Sequence, residues 1–298
     1  MSSDNFLMPD LSIIIVNYNT REQLRACIES ILEHRGTLHI ETIVVDNGSK
    51  DDSPAMIRDY APDVILIEPG YNSWFSGGNN IGVQAATGDY VWILNPDTIV
   101  QADTMQIMVT YLRKNPTVGG LTSLMQFPDG SPQPTCSMTP RYIDLLLGYT
   151  FIGAILSGWR DKRRAMMFYS DWQRDTIKSV EVAPDSNLMC PRSVLETVNT
   201  FDETFKLYFT EDDICKRILD LGYDVRYLPN ALLLHHEHAS VEQVQRLASQ
   251  IYFDDLIVFC EKYYGKPASW LLNALVIPTR WAMDTIQRLR GEKKALSS

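Results

Sequence analysis

Runs of hydrophobic residues alternate with segments of helical periodicity along the first hundred residues of the chain. The first run, SIIIV at residues 12–16, is continuous and β-branched, which is typical of a strand buried on both faces. Further runs predict strands at residues 41–46, 64–67 and 90–94. Helices are predicted between them, after Thr20 and over residues 77–86. Because short strand–helix units alternate, we expect an α/β domain with a mostly parallel sheet.

The pattern is less regular beyond residue 118. Four prolines predict a loop over residues 127–140, and an apolar, then basic, then aromatic segment continues to residue 179. Sheet and helix patterns then return, with strands predicted at 180–189, 225–228 and 232–234, and helices at 212–221 and 241–263. The second half should therefore complete the same domain with a different arrangement of elements.

Charge and cysteine usage narrow the classes of function. The net charge of −10 argues against a general nucleic-acid binder, whose affinity depends on basic residues, but a single nucleotide needs only a local pocket. Five scattered cysteines without a CxxC pair are typical of reduced thiols. No signal peptide is visible, and the longest apolar stretch, around residues 270–283, is too short and too polar to span a bilayer. We expect a cytoplasmic protein, with contact to the cytoplasmic face of the membrane left open.

Polar side chains follow three of the predicted strands where each strand ends. Asn17 and Asn19 follow the first strand, Asp46 ends the second, and Asn95 and Asp97 follow the fourth. In a parallel sheet these positions meet at one edge, where open α/β folds bind ligands. A carboxylate such as Asp97 can hold a divalent cation that carries a diphosphate, and Asp46 can accept from a nucleobase or a ribose. The alternative for each acid is a turn or a helix cap.

A loop rich in glycine and asparagine lies around the start of the helix at residues 77–86. Gly70, Asn72, Gly78 and Asn79 belong to this region, and free N–H groups before a helix suit a phosphate. The chain has neither a GxGxxG fingerprint nor a GxxxxGK[ST] P-loop. The loop alone is therefore a weak indication of nucleotide binding.

Five carboxylates fall within residues 202–213, and three of them, Glu211, Asp212 and Asp213, lie at the start of a predicted helix. Helix capping is one interpretation, because the helix dipole favours anions there. Catalysis is the other, because crowded acids can raise the pKa of one member toward that of a useful general base.

Three of the five histidines lie in the string LLLHHEHAS at residues 232–240. His235, His236 and His238 follow an apolar strand, so they are either structural or ligands of a metal or phosphate. Their spacing differs from HExxH, which argues against a zinc protease.

The chain resembles the inverting GT-A-type nucleotide-sugar glycosyltransferases of family 2, especially their bacterial rhamnosyltransferase-like branch. The resemblance rests on SIIIVNYN, VVDNGS, GYN…GGNNIG…GDYVWILNPDT, FDETFKLYFTEDDICKRILDLGY and YLPNALLLHHEHAS. It covers about residues 11–240 and is weak between 128 and 180. It implies a GT-A catalytic domain at 1–240, with a nucleotide-sugar half at about 11–125 and an acceptor half at about 126–240. Residues 241–298 form a C-terminal helical region.

The resemblance implies a nucleoside diphosphate sugar as donor. Asp46 would contact the nucleobase or ribose, with Asn17 and Asn19 in the same pocket. The branch favours dTDP-L-rhamnose, while UDP-hexoses remain an alternative. The acceptor would be a hydroxyl of a cell-surface glycan or of a lipid-linked sugar.

A divalent cation, Mg²⁺ or Mn²⁺, is implied on the donor's diphosphate. Asp97 would be the remaining acid of the family's DxD-type signature, whose first acid is replaced here by Asn95. His235 would complete the metal or diphosphate site, with His236 or His238 as alternatives.

The resemblance leaves two candidates for the catalytic base. Family members often read E-D-x-D/E before this helix. Counting back from Arg217 makes Glu211 the base and Asp213 the later acid, whereas matching the Glu-Asp pair makes Asp212 the base. We favour Asp212, which would deprotonate the acceptor hydroxyl during a single in-line displacement that inverts the anomeric centre.

Two other classes of function are alternatives to a glycosyltransferase. A catalytically silent binding module predicts loss of Asp97 or of all three helix-start acids, and neither is lost. A nucleotidyltransferase would need a glycine-rich basic signature near the first strand, where the chain offers only Arg21 and Arg25.

The C-terminal tail differs in charge from the rest of the chain. Residues 262–298 contain seven Lys or Arg against two acids, and they include Trp270 and Trp281. Aromatic and basic residues together suit an anionic membrane surface. The equal alternative is a helix that packs on the catalytic domain or on a second subunit, so an oligomer also stays open.

Overall fold

The computed structural model describes residues 8–235 and 245–295. Strands and helices alternate through the first hundred residues, and the four predicted strands are confirmed. The elements are β1 (Leu11–Asn17), α1 (Arg21–His34), β2 (Ile40–Asp46), α2 (Ser53–Arg58), β3 (Val64–Ile67), α3 (Trp74–Ala85) and β4 (Tyr90–Leu94).

The second half contains shorter elements and more helices. They are β5 (Thr98–Val100), α4 (Thr104–Lys114), β6 (Val118–Gln126), α5 (Tyr142–Tyr149), α6 (Phe151–Ile155), α7 (Ser157–Met167), β7 (Lys178–Val180), β8 (Asn187–Pro191), α8 (Arg192–Thr197), α9 (Thr210–Asp220), β9 (Asp224–His235), α10 (Gln245–Tyr264) and α11 (Lys266–Ala295). The two strands predicted at 225–228 and 232–234 are one strand, β9. A register shift against β6 accommodates residues 229–231, including Pro229, so the strand continues past the proline.

One mixed sheet carries these elements, in the order β3-β2-β1-β4-β8-β6-β9-β5, with β7 also paired to β9. The pairs among β1, β2, β3 and β4 are parallel, as the alternating pattern predicted. Beyond β4 the sheet mixes directions, because β8 runs antiparallel to β4 while β6 and β9 pair in parallel. Trp92 is fully buried in the centre, and its indole N–H donates to Oδ1 of Asn187 on β8 at 2.9 Å.

Helices cover both faces of the sheet. On one face α1 and α4 pack through Leu24, Ile28 and Met108, and on the other α3 and α9 pack through Val83 and Ile214. Helix α3 approaches β1 closely at a glycine: a Cβ atom at Gly82 would lie 2.3 Å from Cγ2 of Ile14. This close approach fixes the height of α3 above the ends of the parallel strands.

The C-terminal helices belong to a third hydrophobic cluster, built with α5 and the segment before α9. Its buried members include Leu145, Phe205, Phe209, Phe253, Phe259, Leu272 and Val276. Asp255 on α10 accepts hydrogen bonds from three successive backbone N–H groups of residues 206–208, at 3.0 to 3.3 Å. Helix α10 therefore fixes the segment that leads into α9.

Helix α11 has one packed face and one exposed face. Leu272 and Val276 are fully buried, whereas Trp270 and Trp281 are 69% and 72% exposed. One face of the helix therefore packs on the catalytic domain, as one of the two interpretations of the tail predicted, and contact with a membrane stays a prediction. Among residues 8–235 and 245–295, no helix is long and apolar enough to cross a bilayer.

Candidate active site

Asn17 and Asp46 meet at the carboxyl ends of the parallel strands. They are register partners on β1 and β2, and the Asn17 amide donates to Oδ2 of Asp46 at 2.7 Å. The other oxygen of Asp46 accepts from the backbone N–H groups of Gly48 and Ser49, at 3.1 and 2.8 Å. Asp46 is nearly fully buried and held rigidly at the end of β2.

Asn19 joins the loops after β1 and β2. Its side-chain oxygen accepts from the backbone N–H of Lys50 at 2.7 Å, and its own N–H donates to Oγ of Ser49 at 2.9 Å. Asn19 has φ +54°, a conformation that asparagine tolerates better than most residues. The two loops therefore form one rigid wall beside Asp46.

The segment rich in glycine and asparagine divides between a loop and α3, which begins at Trp74, earlier than predicted, and includes Gly78 and Asn79. Gly70, with φ +83°, and Asn72, whose side chain accepts from the N–H of Trp74 at 2.8 Å, lie on the exposed loop. Gly78 is buried instead, because a Cβ atom there would lie 2.8 Å from Val16. Asn79 donates to the Phe75 carbonyl at 3.0 Å, while its buried Oδ1 has no hydrogen-bond partner among the described residues.

Asp97 and His235 form a second polar pair at the same edge. β5 and β9 bring them together, and Nε2 of His235 lies 3.3 Å from Oδ1 of Asp97. The contact lacks hydrogen-bond geometry, so this buried oxygen has no hydrogen-bond partner in the described part of the chain. Gln133, from the loop after β6, holds the histidine: its Oε1 lies 2.9 Å from Nδ1 and its amide donates to the His235 carbonyl at 3.0 Å.

The unpartnered oxygen of Asp97 and the Nε2 of His235 fit a divalent cation. A carboxylate oxygen and an imidazole nitrogen are ligands that Mn²⁺ and Mg²⁺ sites accept, with the remaining positions open to diphosphate and water. The described residues contain no group of three or more His, Cys, Asp or Glu side chains placed to hold a metal by themselves. His236 and His238 lie outside the described residues.

The end of β4 is bonded to a segment that sequence analysis did not single out. The backbone N–H of Asn95 donates to the carbonyl of Ser186 at 3.1 Å. Asp185, the residue before Ser186, accepts a hydrogen bond from Oγ1 of Thr210 at the start of α9. These contacts place the Asp97 turn close to the acids of α9.

Asp185, Glu211 and Asp212 form an acidic cluster, in which Asp212 is buried and the other two residues are partly exposed. Burial and the charge of Glu211 raise the pKa of Asp185 well above its usual range. Burial also raises the pKa of Glu211. Burial, followed by the charges of Glu211 and Asp185, raises the pKa of Asp212 well above its usual range. No ion pair to Asp212 occurs among the described residues.

Packing of aromatic rings holds the start of α9 in place. Phe209, the residue before α9, is buried with φ +59°, a strained conformation for a bulky side chain. Its ring lies 5.2 Å from that of Phe259 and 6.3 Å from that of Tyr149. The Tyr149 hydroxyl in turn accepts from the Tyr252 hydroxyl at 2.7 Å. The charges of Asp212 and Glu211 contribute to the raised pKa values of both tyrosines, after burial, so the hydroxyl pair lies near the acidic cluster.

Asp213 has different surroundings from its neighbour. Arg217 donates to its Oδ2 through two nitrogens, at 2.8 and 2.6 Å. Its Oδ1 accepts from the Tyr263 hydroxyl at 2.6 Å and pairs with Lys262. Lys262 also donates a hydrogen bond to Asp202. Burial of Asp202 acts to raise the pKa of its carboxyl group, but the ammonium group of Lys262 acts against it, and that pKa is lowered to about 2. Asp213 thus joins α9 to α10.

Comparison with known proteins shows the family to which the chain belongs. Residues 12–197 match the family described as Glycosyl transferase family 2. The chain belongs to glycosyl transferase family 2. It lies in the rhamnosyltransferase-like branch that its motifs indicated, so the predicted family and enzyme class are confirmed.

Relatives of this family 2 glycosyltransferase include an N-acetylglucosaminyl-diphospho-decaprenol L-rhamnosyltransferase of Mycobacterium tuberculosis. It is 24% identical over 238 residues, which cover 76% of each chain. A low-salt glycan biosynthesis hexosyltransferase of Haloferax volcanii is 26% identical over 83% of this chain and 74% of its own. The solved mannosyltransferase of Pyrobaculum calidifontis, in complex with GDP-Man and Mn²⁺, has a TM-score of 0.57 at 18% identity, covering 98% of this chain and 81% of that one. The GT-A fold is confirmed.

Three functional candidates in this glycosyltransferase were missed by sequence reasoning. Asp185 is a single acid in VAPDS, and Gln133 lies in a proline-rich loop, so neither carries a motif. Tyr149 lies in the segment where the family resemblance is weak. These side chains reach the site only through contacts between distant segments of the chain. Such contacts leave no local pattern in the sequence.

Proposed function

We propose that this glycosyltransferase moves a sugar from a nucleoside diphosphate to an acceptor hydroxyl in one displacement that inverts the anomeric centre, with Asp212 as general base. The observation that carries this proposal is the state of Asp212. It is buried, it has no ion-pair partner among the described residues, and burial and neighbouring carboxylates raise its pKa. A carboxylate with a raised pKa is a stronger base toward a hydroxyl proton.

The surroundings of the other two helix-start acids favour Asp212 over them. Glu211 already has a hydrogen-bond partner, because Oγ1 of Thr210 lies 3.2 Å from its Oε2. Asp213 has Arg217 on one oxygen and Lys262 with Tyr263 on the other, so neither oxygen is open to a substrate hydroxyl. We assign Glu211 the role of raising the basicity of Asp212, and Asp213 the role of holding α9 on α10.

The donor would bind across the carboxyl ends of the parallel strands. We assign the nucleobase or ribose to the wall formed by Asn17, Asn19 and Asp46. The diphosphate would lie between this wall and Asp97 with His235, which would hold Mg²⁺ or Mn²⁺; such an ion, when bound, neutralises charge on the departing diphosphate. Gln133 fixes the ring of His235, and so fixes which of its nitrogens faces Asp97.

Asn95 and the glycine loop receive more limited roles. Asn95 ends β4 and accepts a hydrogen bond from Thr98 through its carbonyl, so we assign it to shaping the Asp97 turn. Gly70 and Asn72 lie where they can border the donor, and the buried Oδ1 of Asn79 has no hydrogen-bond partner in the part of the chain that the structure describes. For Gly78 the packing against Val16 supports a role in seating α3.

For the donor sugar we propose L-rhamnose from dTDP-rhamnose, supported by the relative that is named a rhamnosyltransferase. A UDP-hexose is the alternative, supported by the relative named a hexosyltransferase. The acceptor is a hydroxyl of a glycan or of a lipid-linked sugar. The exposed face of α11, with Trp270 and Trp281, supports contact with the cytoplasmic membrane surface.

Release of nucleoside diphosphate, measured with and without acceptor, tests the proposal. Donors are first chosen by thermal shift with dTDP-rhamnose and UDP-hexoses in the presence of Mn²⁺. We expect one donor to raise the unfolding temperature, and an acceptor to accelerate its turnover in the wild type but not in Asp212→Asn. Donor binding without turnover under any acceptor would leave only a binding module.

A further inference from the structure

A cavity of about 430 Å³ lies between α5 and α7. Three arginines of α7, Arg160, Arg163 and Arg164, line it against one acid, Asp144. Tyr149 and Tyr252 also line it, and the charges of Asp212 and Glu211 act on both hydroxyl groups. The cavity therefore brings an excess of positive charge to the tyrosine pair that lies near the acidic cluster.

The three arginines differ in their ion-pair partners. Arg163 donates two hydrogen bonds of 2.8 Å to Asp144, which ties α7 to α5 and uses the one acid of the wall. Arg160 pairs with the exposed Asp161 at 2.9 Å. Arg164 has no ion pair among the described residues; its guanidinium lies 5.8 Å from the centre of the Phe168 ring. Arg164 is thus available to an anion in the cavity. Arg160 can also bind such an anion, if it gives up its exposed partner Asp161.

An exposed apolar segment precedes the arginines in the chain. Phe151, Ile155, Leu156 and Trp159, on α6 and around the start of α7, are between 41% and 73% exposed. Trp159 is the residue before Arg160, and α11, whose Trp270 is also exposed, contacts α6. An anion bound by Arg160 and Arg164 in the cavity would therefore have both an exposed apolar segment and the tyrosine pair as neighbours.

We propose that this cavity binds the diphosphate of an acceptor sugar linked to a polyprenyl chain. The arginines would bind the diphosphate, the apolar surface of α6 would contact the first units of the chain, and the sugar would extend past Tyr149 and Tyr252 toward Asp212. Planar guanidinium groups suit phosphate oxygens, and a cavity wall strengthens such charge-assisted hydrogen bonds. This inference rests on the proposed function for its catalytic end, and it narrows the acceptor to a lipid diphosphate.

Calorimetry with farnesyl diphosphate tests the cavity separately from catalysis. The buffer contains EDTA and saturating dTDP or UDP, so that the probe cannot bind at Asp97 through a metal. We expect the wild type to bind farnesyl diphosphate more tightly than inorganic diphosphate, and farnesol not at all. Arg164→Gln should weaken binding about tenfold or more, because it removes a charge-assisted pair. Lys162→Gln is the matched control, since Lys162 is exposed on the same helix but does not line the cavity.

Each other outcome overturns the inference. If Arg164→Gln and Lys162→Gln bind the probe with equal affinity, the arginines do not form the binding site. If farnesol binds as tightly as farnesyl diphosphate, the cavity does not recognise the diphosphate. Displacement of the probe by phosphatidylglycerol vesicles as readily as by a polyprenyl diphosphate would indicate a general anionic membrane surface instead. Nucleotide binding and turnover are measured on the same preparations. If a preparation binds the probe but shows no turnover, the result contradicts the proposed function and leaves the diphosphate site in the cavity intact.

Discussion

Two acidic regions of this glycosyltransferase show how differently a protein can hold a carboxylate. At the strand ends, Asp46 is surrounded by donors, with Asn17 on one oxygen and two backbone N–H groups on the other. In the acidic cluster, Asp185, Glu211 and Asp212 have no ion pair with any of the described residues, and burial raises the pKa of each. The first arrangement suits rigid recognition of a ligand. The second is costly to ionise, and this cost makes Asp212 a useful base.

Asp212→Asn should separate the two regions most clearly. An amide cannot accept the acceptor's proton, so kcat should fall about 10²–10⁴-fold. Donor affinity, measured by calorimetry, should not change, because the donor binds at the strand ends. A variant that keeps its kcat would exclude Asp212 as the base.

The same variant should also be more stable than the wild type at neutral pH. The pKa of Asp212 is raised on folding, so the stability it contributes is fully present below the unfolded pKa and is lost as pH rises through the folded pKa. Asparagine does not ionise and avoids this loss, and a gain of about 1 kcal/mol would raise Tm by about 2–4 °C. The gain should shrink as the pH is lowered, which thermal scans across pH will check.

Asp213→Asn, at the adjacent position, should lower the stability of the protein and change kcat much less than Asp212→Asn does. Removing this carboxylate leaves Arg217 and Lys262 without their buried partner, so the free energy of unfolding should fall by about 3 kcal/mol. Urea unfolding measures this loss. At a temperature where the variant is folded, its kcat should stay far above that of Asp212→Asn; equal losses of kcat would assign Asp213 to the chemistry.

Asp97→Asn tests the strand-end region. The variant keeps the size of the side chain and removes its charge, so the Mn²⁺ concentration that gives half-maximal turnover should rise about 10–100-fold. Asp46→Asn is the control, since it should weaken nucleotide binding and leave this Mn²⁺ concentration unchanged. A metal response that is the same in Asp97→Asn and the wild type would place the cation elsewhere.

Glu211→Gln should give the smallest effect, a shift in pH dependence. Turnover requires ionised Asp212, so kcat/KM should rise with pH as that carboxyl loses its proton. The Glu211 charge raises the pKa of Asp212, so its removal should move the rising limb to lower pH. A limb that does not move would show that Glu211 is not charged during the reaction.

Much of the first half could be predicted because its signals are local. Strands buried on both faces leave continuous apolar runs, and parallel pairing brings their polar ends to one edge. The contact between Asn17 and Asp46 follows directly from this rule. The second half was harder to predict. Residues 141–179 form three helices that no clear periodicity indicated, and β9 continues past Pro229 because a register shift accommodates it.

The sequence by itself determined the family, the four parallel strands of the first hundred residues and the set of acids and histidines from which a site could be built. Only the tertiary structure decided how those groups differ. Successive residues of a helix point about 100° apart, so Asp212 and Asp213, adjacent in the chain, enter different surroundings. One meets Glu211 and Asp185, and the other meets Arg217 and Lys262. Burial and the nearest charges set the pKa of a carboxyl group, and distant segments of the chain supply both.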